Sequence, residues 1–138
     1  MPKADHLSPG GVQLLQEPQL AHFATVLPDG SPQVTPVWVD VEEDGSHILI
    51  NTAAGRLKIN NVGRNPEVAV SVVDSQQQFR YVTVRGTVVE QRTEGAREHI
   101  NFLAKKYVGA DVYNFGPPDE QRVIIRIRPH HVIEQGVE

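Results

Sequence analysis

The residues best placed to do chemistry lie together at Thr52-Ala53-Ala54-Gly55-Arg56-Leu57-Lys58-Ile59-Asn60-Asn61, where a strand pattern ends, a glycine allows a close turn and two cations open a helical pattern. Free N–H groups at a helix start, with Arg and Lys beside them, favour a bound anion, and phosphate suits such a corner best. Arg and Lys are mostly exposed whatever their role, so the same pair also fits an ordinary charged surface. Trp38, the only tryptophan, follows Pro36-Val37 in an apolar segment. A proline there cannot donate to a ladder, which predicts an edge strand or a bulge with free backbone groups for a planar ligand. Trp38 equally suits a core or an interface. Tyr107 fits a helix core, and Tyr113 and Phe115 fit a pocket lining.

Other chemistries find no support. There is no cysteine, so disulfides, thiolate metal sites and cysteine nucleophiles are excluded. His6, His22, His47, His99, His130 and His131 show no zincin-like spacing, and His130-His131 after Pro129 read as loop histidines, so no metal is expected. Nucleophile-elbow, dinucleotide and P-loop motifs are absent. Thirteen Lys and Arg against 17 Asp and Glu give a net charge of -4, the wrong sign for a nucleic-acid binder. Lys3 is followed by no apolar leader-like run and no stretch is long enough to cross a bilayer, which predicts a cytoplasmic protein.

The elements that must position these residues follow from the periodicity. At 138 residues, 39% hydrophobic and 22% charged, the chain is expected to form one globular domain over 1–138. Ser8 and Pro9 predict a short helix carrying Val12, Leu14 and Leu15. Alternation from Ala21 to Leu27 predicts a strand ending at Pro28-Asp29-Gly30-Ser31. A second strand is expected over Pro32 to Glu42 and a third over His47 to Thr52, the three forming an antiparallel meander. Leu57, Ile59 and Val62 predict a short helix stopped by Asn65-Pro66, and Val68 to Val73 a buried strand. Phe79 to Arg92 alternates, with Val82, Val84, Gly86 and Val88 on one face and Gly86 marking a bulge or bend. A helix is expected from Thr93, as cap, to Val108, closed by Gly109, and a last strand over Val123 to Arg128. Some six strands joined by short turns, with one helix inserted late, predict a small antiparallel barrel and not a parallel α/β sheet.

The order of these pieces resembles the split-barrel family that includes pyridoxamine 5′-phosphate oxidase, and especially its branch of small flavin and deazaflavin oxidoreductases. The residues that carry the resemblance are Phe23-Ala24-Thr25-Val26, Asp29-Gly30-Ser31-Pro32-Gln33-Val34-Thr35-Pro36-Val37-Trp38, Ile50-Asn51-Thr52, Arg56-Leu57-Lys58, Asn61, Asn65-Pro66 and Val82 with Arg85-Gly86. It implies a mainly β fold, a six-stranded antiparallel split β-barrel of the FMN-binding kind with a few peripheral helices, paired as a homodimer with a cofactor in each groove between protomers. It implies further that Arg56 and Lys58, with Thr52 and Asn61, hold the cofactor phosphate. The backbone of Pro36, Val37 and Trp38 would border the ring, and Arg80 and Tyr81 would reach in from the partner chain.

The chain is short, lacks the extended C-terminal substrate motif of true pyridoxamine 5′-phosphate oxidases and has Arg-x-Lys where they have adjacent Arg-Lys. It is therefore most similar to the branch that uses the deazaflavin coenzyme F420. The activity implied is hydride transfer between reduced deazaflavin and an electron-poor small organic acceptor, with solvent or Tyr113 as the proton source. Two alternatives remain open at this point: an FMN-dependent oxidoreductase, and a non-catalytic module that binds a flavin, haem or tetrapyrrole.

Overall fold

The computed structural model describes residues 5–137, so Lys3 lies outside it. The described chain runs α1 (Pro9–Gln16), β1 (Ala21–Val26), β2 (Pro32–Val37), β3 (Val39–Val41), β4 (Ile48–Ala53), α2 (Leu57–Arg64), β5 (Glu67–Val73), β6 (Tyr81–Arg92), α3 (Ala96–Val108) and β7 (Arg122–Gln135). Seven strands form one sheet in the order β2-β1-β5-β6-β7-β4-β3, with every neighbouring pair antiparallel. The two edge strands, β2 and β3, are separated in sequence by Trp38 alone. Since consecutive Cα atoms lie about 3.8 Å apart, the edges must meet at that residue, and the sheet is curled.

This corrects the expected meander. The chain from Pro32 to Glu42 is not one strand: its first half pairs with β1 and its second half with β4, which pairs in turn with β7. Alternating apolar residues look the same whether a strand keeps its partner or changes it, so the break at Trp38 leaves no mark in the pattern. Pro36 sits in the edge strand β2, where its missing N–H leaves no inner ladder incomplete.

The last strand is longer than its sequence pattern suggests. Pro129 does not end it: Pro129 lies opposite Gly86 where the β6–β7 register shifts, and His130 and His131 continue β7 rather than forming a loop. Gly86 is required there, because a Cβ would stand 2.7 Å from the Arg128 carbonyl oxygen and 2.8 Å from Ile127 Cγ2. Helix α3 starts at Ala96 rather than Thr93. Gly95, at φ 76°, makes the entry turn, and Thr93 contributes only its carbonyl, which accepts from Ala96 N at 3.1 Å.

Inward residues of the strands make the core, among them Phe23, Ile48, Ile50, Val82, Ile125 and Ile127, and α1 adds Leu14 and Leu15. Ser8 caps α1 by accepting from Gly11 N at 3.1 Å. Both the amide and the hydroxyl of Ser8 donate to Glu134 at 3.0 Å, which ties the helix to the end of β7. Ala96, Ile100, Leu103 and Ala104 bury one stripe of α3, so its half-buried Tyr107 and Lys106 face the corner where β2 becomes β3. No helix among the described residues is long and apolar enough to cross a membrane.

Candidate functional site

A cavity of about 440 Å³ opens where β2 ends, β4 ends, α2 begins and β7 begins. One wall is aromatic. Trp38 stacks on Tyr107 with centroids 5.2 Å apart, and Tyr113 and Phe115 present edges to it at 6.0 and 6.3 Å. Tyr113 is held in place through its own amide, which donates to Asn101 Oδ1 of α3 at 2.8 Å. Pro36 and Val37 continue this wall along β2.

Another part of the lining is cationic. After β4 the chain turns at Gly55, whose φ of 87° lies in the left-handed region. Arg56 then becomes the N-cap of α2: its side chain caps no amide and its carbonyl accepts from Ile59 N at 3.1 Å, which leaves the Leu57 and Lys58 amides for a ligand. Arg56, Lys58 and Arg122 all line the cavity. Lys58 makes no hydrogen bond or ion pair among the described residues, and burial, helped by the charges of Arg56 and Arg122, holds its ammonium below the ordinary lysine range. A half-buried cation among cations favours a bound anion, whose charge would offset both the burial and the repulsion.

One carboxylate sits among the three cations. Glu120 accepts from Arg122 Nη1 at 2.8 Å and from Arg56 Nη2 at 3.4 Å. Burial works to raise its carboxyl, and the Arg122 hydrogen bond and charge outweigh it, leaving Glu120 below the usual range. Arg122 is 4% exposed, donates through Nε to Asn51 Oδ1 at 2.9 Å and lies 4.9 Å above the Tyr113 ring, joining the cationic wall to the aromatic one. Thr52 lines the same cavity, and its hydroxyl is buried without a hydrogen-bond partner. Leaving a buried hydroxyl unpaired costs about 1–3 kcal/mol, a cost removed once a ligand oxygen reaches it. The donor set therefore fits a planar molecule with a phosphate at one end.

Eight of the residues singled out from the sequence meet here: Pro36, Val37, Trp38, Thr52, Arg56, Lys58, Tyr113 and Phe115. Asn61 does not reach the cavity. It is fully buried, donates to Thr25 Oγ1 at 2.9 Å and accepts from Arg64 Nη2 at 2.8 Å, which pins α2 onto β1. Tyr81 opens β6 and Arg80 precedes it, away from this cavity. Arg80 forms a paired contact with Glu17 at 2.8 and 2.9 Å and a third with Asp74 at 2.8 Å. Sequence reasoning passed over Arg122. The signal was a charged residue at the head of an all-apolar run, Val123 to Ile125, two positions after Glu120.

Residues 10–136 match the family model described as pyridoxamine 5′-phosphate oxidase. The chain belongs to that family. Its curled antiparallel sheet with three helices is the family's split barrel, with seven strands in place of the six expected. Within the pyridoxamine 5′-phosphate oxidase family, a solved structure named F420 reductase is 34% identical, covers 94% of this chain and 100% of its own, and superposes with a TM-score of 0.79. HupZ of group A Streptococcus is 20% identical over 95% of this chain and 96% of its own, with a TM-score of 0.68. General Stress Protein 26 of Bacillus anthracis is 19% identical over 94% and 93%, with a TM-score of 0.69. At those identities the latter two share the fold. No curated protein sequence matches the chain.

Proposed function

We propose that this chain is an oxidoreductase that holds coenzyme F420 in the cavity between Trp38 and Lys58 and passes a hydride between the reduced deazaflavin and an electron-poor small organic acceptor. The observation that carries the reading is the unpartnered Thr52 hydroxyl beside three cations and an aromatic wall. The 34% identical relative named F420 reductase supports the choice of cofactor. FMN is the alternative, since the same cations suit its phosphate and the family model carries the name of pyridoxamine 5′-phosphate oxidase.

When bound, the deazaflavin supplies the hydride, and the protein supplies position. Arg56, Lys58 and the amides of Leu57 and Lys58 would hold the phosphate, and the Thr52 hydroxyl would donate a hydrogen bond to a phosphate oxygen. The backbone of Pro36 to Trp38 borders the ring and excludes water from one face, and Tyr113 stands close enough to this wall to hand over the proton that completes reduction. Orienting donor and acceptor in contact can lower a barrier by roughly 7–11 kcal/mol.

The cavity rim exposes Leu20, Val108 and Phe115, each more than half exposed. In the proposed enzyme a second protomer covers that rim, making a homodimer, and Tyr81 and Arg80 of the partner subunit close the groove, with Arg80 giving up its two carboxylates to do so. The enzyme works as one cytoplasmic domain on a small molecule, with neither nucleic acid nor membrane involved. Steady-state oxidation of reduced F420 with an activated enone or quinone tests this: acceptor-dependent turnover above the free-solution rate is expected. Uptake of the cofactor without turnover would identify a binding module instead.

A further inference from the structure

Arg122 is held by a chain of hydrogen bonds that leads away from the cavity into the protein. Its Nε–H donates to Asn51 Oδ1 at 2.9 Å. Nε carries one hydrogen and no lone pair to offer, so the Asn51 amide can present only its oxygen to it. The amide nitrogen must then face the other way, where it donates to the Ala96 carbonyl at 2.9 Å and meets His99 Nδ1 at 3.0 Å. With both Asn51 protons committed, His99 Nδ1 has to accept. The ring proton is thereby placed on Nε2, which donates to Asp40 Oδ2 at 3.0 Å. One arrangement of protons satisfies every link from Arg122 to Asp40.

A second proton on His99 has nowhere to go in this arrangement. It would sit on Nδ1 and face an Asn51 N–H. Turning the amide to offer its oxygen would point N–H groups at Arg122 Nε–H and an oxygen at the Ala96 carbonyl. We propose that Asn51 and His99 are positioning residues which, with Asp40 behind them, hold the Arg122 guanidinium on the cavity wall, so that a second proton on His99 loosens the grip on a ligand's phosphate. This rests on the reading that the cavity takes a phosphate-bearing cofactor.

The groups that face His99 set the balance. Asp40 of β3 faces Nε2, while Asn51 of β4, held in its orientation by Arg122 of β7 and by the Ala96 carbonyl, turns an N–H toward Nδ1. On its own helix Phe102 stacks on the ring at 6.5 Å, and the Lys106 ammonium interacts with Asp40. Imidazole is the group whose charge changes between about pH 5 and pH 8.

The test uses the whole protein and two readouts. The first is the ¹⁵N spectrum of its histidines without ligand: His99 is expected with a protonated Nε2 and a bare Nδ1, and the opposite tautomer would overturn the proposal. The second is F420 affinity, by fluorescence, across about pH 5 to pH 8 for the native chain, His99→Phe and Lys58→Ala. Phenylalanine keeps the ring stack and removes the titration. The native chain is expected to lose about tenfold more affinity toward acid than His99→Phe does, the worth of one hydrogen bond to a charged group. Titration of the cofactor itself is common to both and cancels in the ratio. Equal acid losses in the two, with Lys58→Ala still weakening binding, would overturn the positioning role and leave the phosphate site standing. No weakening by Lys58→Ala would sink the phosphate site and the positioning role with it.

Discussion

The indole of Trp38 and the phenol ring of Tyr107 lie face to face, 5.2 Å apart and 4° from parallel. The Tyr107 hydroxyl also accepts from Val39 N–H at 3.0 Å and donates to the Gln19 carbonyl at 2.6 Å, so one side chain braces the corner at which the curled sheet closes. Tyr107→Phe keeps the stack and strands the Val39 amide. It should lower stability by about 1–3 kcal/mol, read as a lower urea midpoint with an unchanged slope, and an unchanged midpoint would show that water replaces the hydroxyl.

Thr52 offers a test in which stability and binding move apart. Its hydroxyl is buried without a partner, so Thr52→Val removes an uncompensated desolvation and should leave the free protein as stable or slightly more so. The same change should weaken cofactor binding by about 1.5–3 kcal/mol, because the lost hydrogen bond is to a charged oxygen. Equal affinities in the native chain and the Thr52→Val variant would place the phosphate elsewhere.

The Lys58 ammonium is held below 10.5 by burial first and then by Arg56 and Arg122. A phosphate beside it would favour the charged form and raise it again. Binding at a pH where the free lysine is partly neutral should therefore take up a proton, and affinity should fall as pH rises through the depressed range of the free lysine. Isothermal titration in buffers of different ionisation heat reads that uptake directly. Lys58→Met should abolish it, and proton uptake that survives the substitution would assign it to another group.

Stability should show an optimum on the alkaline side. Burial pushes Lys106 from 10.5 down to about 8, against the pull of Asp40. Across that interval the unfolded chain holds the proton and the folded one does not, so stability rises with pH, and Lys58 adds in the same sense. Burial also pushes Tyr107 from 10.0 up to about 12, although the bond from Val39 N–H works the other way. Above pH 10 the unfolded tyrosine ionises first, so stability then falls. Thermal melts should trace this rise and fall, and Lys106→Met should flatten the rising limb.

Local signals in the sequence were sufficient wherever one element decides its own shape. Ser8 and Pro9 start α1, Gly109 ends α3 and the alternation of Val82 and Val84 marks the buried face of β6. The corner at Gly55 was legible for the same reason, since a turn glycine and two cations fall within four residues. What stayed hidden depends on partners distant in sequence. The change of neighbours at Trp38, the tolerance of Pro129 opposite Gly86 and the convergence of Asn51, His99 and Arg122 follow from register across strands, which periodicity does not encode.

The most direct test of the cavity is a paired equilibrium titration of the native chain and of the Arg56→Ala/Lys58→Ala double variant with F420 and with FMN, following the emission of Trp38, the sole tryptophan. The native chain should bind F420 more tightly than FMN and quench Trp38 as it binds, while the double variant should lose about 3–6 kcal/mol of that affinity, twice the worth of one charged hydrogen bond. Equal affinities in native and variant proteins, or binding that leaves Trp38 emission untouched, would contradict the account.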